Sequence, residues 1–313
     1  MIIAGETLVD MILRPDGLID PKLGGSPFNF ALALARLGCS VQYANPLSFD
    51  TFGQRLVNTL SEAKVGLRAQ RSACPTSLAC VTVDAQGHPS YAFYREGVAD
   101  RDWNPLSLLE NESLAGGYFH VGSLVLIPPD GALWAKVLAG MRAKGAVTSV
   151  DVNMRLIAAA DHRTYIQTIK SLMPHANVLK VSDEDLLALE MKGDPLDHAR
   201  SLLTDETHVV VLTLGAKGAW ALTAHHEVFQ APVQLKVVDS VGAGDCFYAG
   251  FTCALAETGS LGILRSGVAP DKKDLSNALA FANQVTGFNL QHQGCVPPWR
   301  HELAQAVTST VPD

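Results

Sequence analysis

The chain has 313 residues, 48% hydrophobic and only 18% charged, which is enough apolar sequence for a full α/β core and the reverse of a disordered composition. Its formal net charge of −7 with no Lys/Arg block argues against nucleic acid and anionic membrane as partners. No run of about 18 apolar residues suggests a membrane span, and Met1 runs into Ile2-Ile3-Ala4 with no basic n-region, so a cytoplasmic protein is expected.

Met1–Leu8 forms a short apolar strand broken by Gly5 and Glu6, with Asp10 just beyond it, where open α/β sheets collect ligands. Ile12 to Leu23 mixes apolar and turn residues and is too rich in Pro and Gly for a helix. In Gly24-Gly25-Ser26-Pro27-Phe28-Asn29, Ser26 suits an N-cap and Pro27 the first helical position. Phe28, Leu32, Leu34 and Leu37 then give a helix ended by Gly38. Asn29 beside a close-approach glycine pair suits a polyol ligand; simple loop flexibility is the alternative. A serine-hydrolase elbow is excluded because Phe28 stands where glycine is needed.

Thr76–Val83 and Ser90–Arg95, joined by Asp84-Ala85-Gln86-Gly87, are expected to form a hairpin. Residues about 10–22 and 74–97 would together make a β-rich lid over a site, where Arg95 reaches a ligand or remains an ordinary strand-end arginine. Beyond it come strands at Gly117–Ser123, Ala146–Asp151, Val178–Val181 and Val209–Leu214, with helices at Asp130–Lys144, 184–191 and 196–204. This rhythm predicts a mostly parallel sheet covered on both faces, in one domain spanning 1–313. Six cysteines without a C-x-x-C pair and ten histidines without ligand spacing suggest neither a zinc site nor a disulfide framework. Asn111-Glu112-Ser113 is a glycosylation sequon by pattern only.

Asp239-Ser240-Val241-Gly242-Ala243-Gly244-Asp245 lies between an apolar alternation (Val233, Leu235, Val237), read as a strand, and a helix marked by Phe247, Phe251 and Leu255 and stopped by Gly259. Glycines at such a junction let backbone N–H groups point outward at the positive end of a helix, which makes an anion site. Asp245 in the first turn then stands beside the anion as a base for phosphoryl transfer, or merely complements the helix dipole. Phe247 occupies the third-glycine position of a dinucleotide fingerprint, and no P-loop pattern occurs.

With the flanking motifs, these seven residues resemble the signature of the ribokinase-like (PfkB) carbohydrate kinases. Gly5-Glu6 with Asp10, Gly24-Gly25 with Asn29, Asp50-Thr51-Phe52-Gly53, Asp151-Val152-Asn153-Met154-Arg155 and Thr213-Leu214-Gly215-Ala216-Lys217-Gly218 resemble the family's other motifs in order. Ser48 stands where glycine is usual. The resemblance implies a ribokinase-like β-α-β sandwich with a small lid, ATP and Mg²⁺, and phosphorylation of a sugar hydroxyl; it leaves a monovalent cation open. It makes Asp245 the base and the N–H groups of Gly242, Ala243 and Gly244 the anion hole. It places Asn153, Arg155 and Lys180 toward the ATP phosphates, Thr213, Gly215, Lys217 and Gly218 along the nucleotide, and Asn283 near adenine. The sugar would meet Asp10, Gly24, Gly25, Asn29 and Arg95. The family's N-x-x-E loop is Ser182-Asp183-Glu184-Asp185 here, so Asp185, or Glu184, would reach the metal through water.

Asp10 favours a neutral polyol, as in the fructokinase-like members. Arg95 in Phe93-Tyr94-Arg95 resembles the 2-keto-3-deoxygluconate kinases, with Phe93 in place of their usual tyrosine. A fructokinase-like sugar kinase is the leading expectation and the keto-acid kinase the alternative. A catalytically inactive sugar- or nucleotide-binding protein is the reading from another class. The apolar residues Val81, Val83, Tyr91 and Phe93 of the insert suggest a homodimer through the lid.

Overall fold

The structure, a computed structural model, describes residues 1–14, 16–83, 89–110 and 117–303. Its opening apolar run divides between two sheets. β1 spans Ile2–Ala4, and after Gly5-Glu6-Thr7 the chain enters β2 (Leu8–Leu13), which pairs with β3 (Ile19–Gly24) in a different sheet. There follow α1 (Ser26–Arg36), β4 (Gln42–Tyr43), α2 (Thr51–Glu62), β5 (Gly66–Leu67) and the antiparallel pair β6 (Ser77–Val83) and β7 (Pro89–Tyr94). The next stretch alternates β8 (Tyr118–Gly122), α3 (Asp130–Ala143), β9 (Val147–Asp151), α4 (His162–Leu172) and β10 (Val178–Ser182). Then come α5 (Asp183–Ala188), α6 (Pro195–Ser201), β11 (Val209–Thr213), β12 (Ala219–Leu222) and β13 (Glu227–Gln230). Helices α7 (Ala243–Glu257), α8 (Ser260–Leu264) and α9 (Lys272–Leu290) complete the chain.

Nine strands form the main sheet in the order β13-β12-β11-β10-β9-β8-β1-β4-β5, parallel from β11 to β5 with an antiparallel hairpin at one edge. The reason lies in the side-chain alternation of its buried strands. In β11, Val209 and Val211 face the side covered by α1, α7 and α9, while Val210 and Leu212 face that covered by α3 and α4. Each such side chain contributes about 1.5–3 kcal/mol on burial, so both faces need helices. The second sheet, β3-β2-β6-β7, is small and mixed. Strand order reverses at β1, with β4 on one side and β8 on the other, and the crevice at the C-terminal strand ends there is where a ligand is expected. Among the described residues, no helix is long and apolar enough to cross a membrane.

Several local expectations are corrected. Asp10 lies within β2 and not past a first strand. Residues 231–242 form no strand despite their alternation, because the backbone is drawn to a helix end: the Val238 N–H donates to Leu290 O at 2.8 Å. The N-cap of α1 is Gly25, which puts Ser26 first in the helix and Pro27 second. Helices α2 and α4 appear beyond those expected, each started by an aspartate: Asp50 accepts from the Gly53 N–H at 2.7 Å, and Asp161 from the N–H groups of Arg163 and Thr164. The turn at Asp84-Ala85-Gln86-Gly87 and the Asn111-Glu112-Ser113 tripeptide lie outside the described residues.

Candidate active site

Asp245 occupies the first turn of α7 and is buried. Gly242, the N-cap, has φ 72°, and a Cβ there would fall 2.2 Å from Cys295 Sγ, so only glycine fits. Among the described residues, the N–H groups of Gly242, Gly244 and Asp245 have no protein acceptor, while that of Ala243 donates to Ser240 O at 3.2 Å. Unmatched N–H groups at a helix N-terminus form a cradle for an anion. A buried ammonium stands beside it: Lys180 Nζ lies 3.7 Å from where a Gly244 Cβ would be and is ion-paired with Asp151 at 2.8 Å. Burial opposes the charge on Lys180, but the Asp151, Asp185 and Asp245 carboxylates outweigh it and hold the proton above the usual lysine range.

Helix α1 supplies the other wall. Ser26 Oγ donates to Asp245 Oδ1 at 2.6 Å, and Asn29 Nδ2 donates to Oδ2 at 2.8 Å. Burial pushes the Asp245 carboxyl above its ordinary range, against the pull of these two hydrogen bonds and of Lys180 and Arg155. Asn29 therefore reaches the aspartate directly. Ser26 was legible only as a cap, since its partner lies 219 residues away.

Asp10, on β2, sits against Gly24 of β3, where an added Cβ would approach its Oδ2 to 2.8 Å. That close approach accounts for the first glycine of the pair. Burial raises the Asp10 carboxyl to about 6, and among the described residues it has neither an ion pair nor a hydrogen bond.

Arg95 is turned inward, against the expectation of a strand-end group open to ligand. It is buried, donates from Nη1 to Leu124 O at 3.0 Å, and lies 3.7 Å from Asp100 Oδ2. Two buried carboxylates, Glu6 and Asp100, draw it there.

The residues expected along a nucleotide are more open. Thr213 ends β11, Gly215 and Lys217 are exposed in the following turn, and Gly218 is buried at the start of β12. Asn283 of α9 donates to Ala231 O at 2.5 Å, tying α9 to the segment that leads into Asp239. Asn153, with φ 36°, and exposed Arg155 leave β9 over α5. Asp185 accepts from the backbone N–H groups of Met154 at 2.7 Å and Ser182 at 2.8 Å, so both its oxygens are engaged in holding that turn. Glu184 is exposed. Among the described residues, no three His, Cys, Asp or Glu side chains converge on one cation position.

Comparison with known proteins matches residues 18–302 to the pfkB family of carbohydrate kinases. A fructokinase of Rhizobium leguminosarum bv. trifolii is 33% identical over 266 residues, covering 82% of this chain and 79% of its own. Fructokinase-2 of Solanum lycopersicum is 29% identical, covering 94% and 90%. Among solved structures, a fructokinase with bound ATP from Xylella fastidiosa superposes with a TM-score of 0.83 at 25% identity, covering 98% of each chain.

Proposed function

The chain belongs to the pfkB family of carbohydrate kinases and is a sugar phosphotransferase, and from that premise we propose that it transfers the γ-phosphoryl of ATP to a hydroxyl of fructose. One observation carries the mechanism: the Asp245 carboxylate is buried and oriented beside N–H groups that have no protein acceptor among the described residues and beside the Lys180 ammonium. The sugar hydroxyl gives its proton to Asp245 as its oxygen bonds to phosphorus, and the bond from phosphorus to the ADP oxygen breaks. The N–H groups of Gly242, Gly244 and Asp245 and the Lys180 charge stabilise the transferring phosphoryl. Magnesium, if bound with the nucleotide, would supply neutralisation of phosphate charge. The donor set fits an ion held chiefly by phosphate and water, with Asp185 or Glu184 at most a water-bridged neighbour. The Thr213–Gly218 turn, Asn153, Arg155 and Asn283 border the nucleotide, and the second sheet is the lid of a single domain.

Asp10 reads the sugar hydroxyls, with Gly24 and Gly25 allowing close approach. An unpaired carboxylate there favours a neutral ligand, and the burial of Arg95 beside Asp100 argues against its serving a keto-acid substrate. The test is ADP release with Mg-ATP across fructose, 2-keto-3-deoxygluconate, ribose, glucose and adenosine. Fructose is expected to lead. Turnover confined to the keto-acid would overturn the substrate assignment, and silence on every sugar alongside ATP binding would favour a non-catalytic protein.

Of the apolar residues expected to form a dimer surface, Val81 is buried and Tyr91 exposed; with Leu13, Ile19 and Tyr94 also exposed on the second sheet, a homodimer of cytoplasmic chains through the lid is still the reading we favour. Sedimentation at micromolar concentration should show a dimer; a single monomeric species rejects it.

A further inference from the structure

The hydroxyl of Ser26 has no role in starting its own helix. Gly25 is the N-cap of α1 and no side chain caps it, yet Ser26 Oγ is committed to Asp245 Oδ1 at 2.6 Å. A hydroxyl has a single proton to donate, and here a carboxylate receives it, which favours the ionised form. Ser26 and Asn29 are three residues apart, so they share one face of the first turn and grip the two carboxylate oxygens separately.

The turn itself is braced from behind. Glu6 Oε1 accepts the Ser26 N–H at 3.3 Å, taking one of the donors that a helix start leaves unmatched. Glu6 is buried, and the Tyr43 hydroxyl fixes its backbone by sharing its one proton between Gly5 O at 2.8 Å and Glu6 O at 3.0 Å. Its counter-charge is Arg95, shared with Asp100. Contacts thus run from Glu6 through Ser26 to Asp245, with the charge of Arg95 lying behind Glu6.

Resting on the kinase reading above, we propose that Ser26, braced by Glu6, is a positioning residue that clamps the Asp245 carboxylate in its ionised form for proton abstraction. Asn29 then holds the second oxygen, and the remaining lone pairs stay open to the incoming hydroxyl. The titratable groups facing Asp245 are Asp151 at the end of β9, Lys180 within β10, Arg155 beyond β9 and Cys295 beyond α9, with Asp185 of α5 set against Asp151 and Lys180 and Cys246 of α7 against Cys295. Those facing Glu6 are Arg95, Asp100, Tyr43 and Tyr165. None of these side chains is altered when only the Ser26 hydroxyl is removed.

The experiment compares wild type, Ser26→Ala and Ser26→Thr by the pH profile of kcat/KM on the sugar that wild type uses best. It is paired with a carbon-13 NMR titration of the Asp245 carboxyl, assigned through Asp245→Asn. In Ser26→Ala the acid limb and the carboxyl titration should both move up by about one pH unit, because a hydrogen bond to the charged form is lost. On the acid side, kcat/KM then falls about tenfold. Ser26→Thr keeps the hydroxyl and should restore the limb. A profile superimposable on wild type, or an equal loss at every pH with an unmoved titration, overturns the clamp. Glu6→Gln keeps an acceptor for the Ser26 N–H and should hold the limb in place; a limb displaced as far as in Ser26→Ala overturns the bracing role. If wild type phosphorylates no sugar, the kinase reading fails while the carboxyl titration still decides the clamp.

Discussion

The two carboxylates proposed for the site, Asp245 and Asp10, are prepared in opposite ways. Asp245 of α7 is buried and already receives two hydrogen bonds, from Ser26 and Asn29 of α1, an element far away in the chain. Asp10 is only partly covered and has no partner among the described residues, though it lies so close to Gly24 that a Cβ there would have to push its carboxylate aside. A group that must take a proton at a fixed place gains from preorganised neighbours, since nothing then has to move during the reaction. A group that reads a ligand's hydroxyls gains from being left unsatisfied, because the ligand then replaces water and removes the penalty of burial. On this comparison the proposed base is finished before substrate arrives, and the proposed sugar reader is completed by it.

The comparison breaks most readily at Asp245. Asp245→Asn keeps the shape and a hydrogen-bonding capacity but cannot accept the proton, so kcat should fall about 10²- to 10⁴-fold with little change in sugar KM. ADP release that survives at the wild-type rate would move the base elsewhere. Asp10→Asn should act in the opposite column of the kinetics. Losing charged acceptance of sugar hydroxyls should raise sugar KM about tenfold or more, with a smaller loss in kcat. If both variants lose kcat alone, the division of labour between the two carboxylates is wrong.

The sequence displayed these two sites unequally, for reasons that are physical. The parallel core was legible because continuous apolar strands such as Val209–Thr213 need cover on both faces, and Asp245 because a local glycine pattern forces N–H groups outward. Residues 231–242 misled because alternation signals a strand only where a neighbouring strand can pair, and here Val238 meets the end of α9. The burial of Arg95 was not legible because its position in a hairpin says nothing of Glu6 and Asp100, which the fold brings near it. Ser26 and its partner Asp245 belong to separate motifs, and no local pattern joins a hydroxyl to a carboxylate across that distance.

A subtler perturbation leaves the Asp10 side chain in place and moves it. Gly24→Ala would put a Cβ 2.8 Å from Asp10 Oδ2, closer than real Cβ contacts come, so the carboxylate must swing aside. Sugar KM should rise severalfold, less than for Asp10→Asn, because the displaced carboxylate still offers part of its acceptance. Unchanged KM would place the sugar away from this strand pair.

The smallest effect reports the cost of keeping Asp10 unsatisfied. Its carboxyl is raised to about 6 by burial, against about 3.9 in an unfolded chain, so the folded state binds the extra proton between those values. The stabilising contribution of protonated Asp10 is therefore fully present below about pH 3.9 and is lost as pH rises through about 6. Asparagine cannot titrate. Measured by urea unfolding, Asp10→Asn should gain on wild type between pH 4 and 7 by on the order of 1 kcal/mol, a figure reduced for the partial exposure of the group. Saturating sugar should shrink that gain, because ligand hydroxyls would satisfy the ionised carboxylate in wild type alone. A gain that ignores sugar would mean that Asp10 is strained for some reason other than substrate.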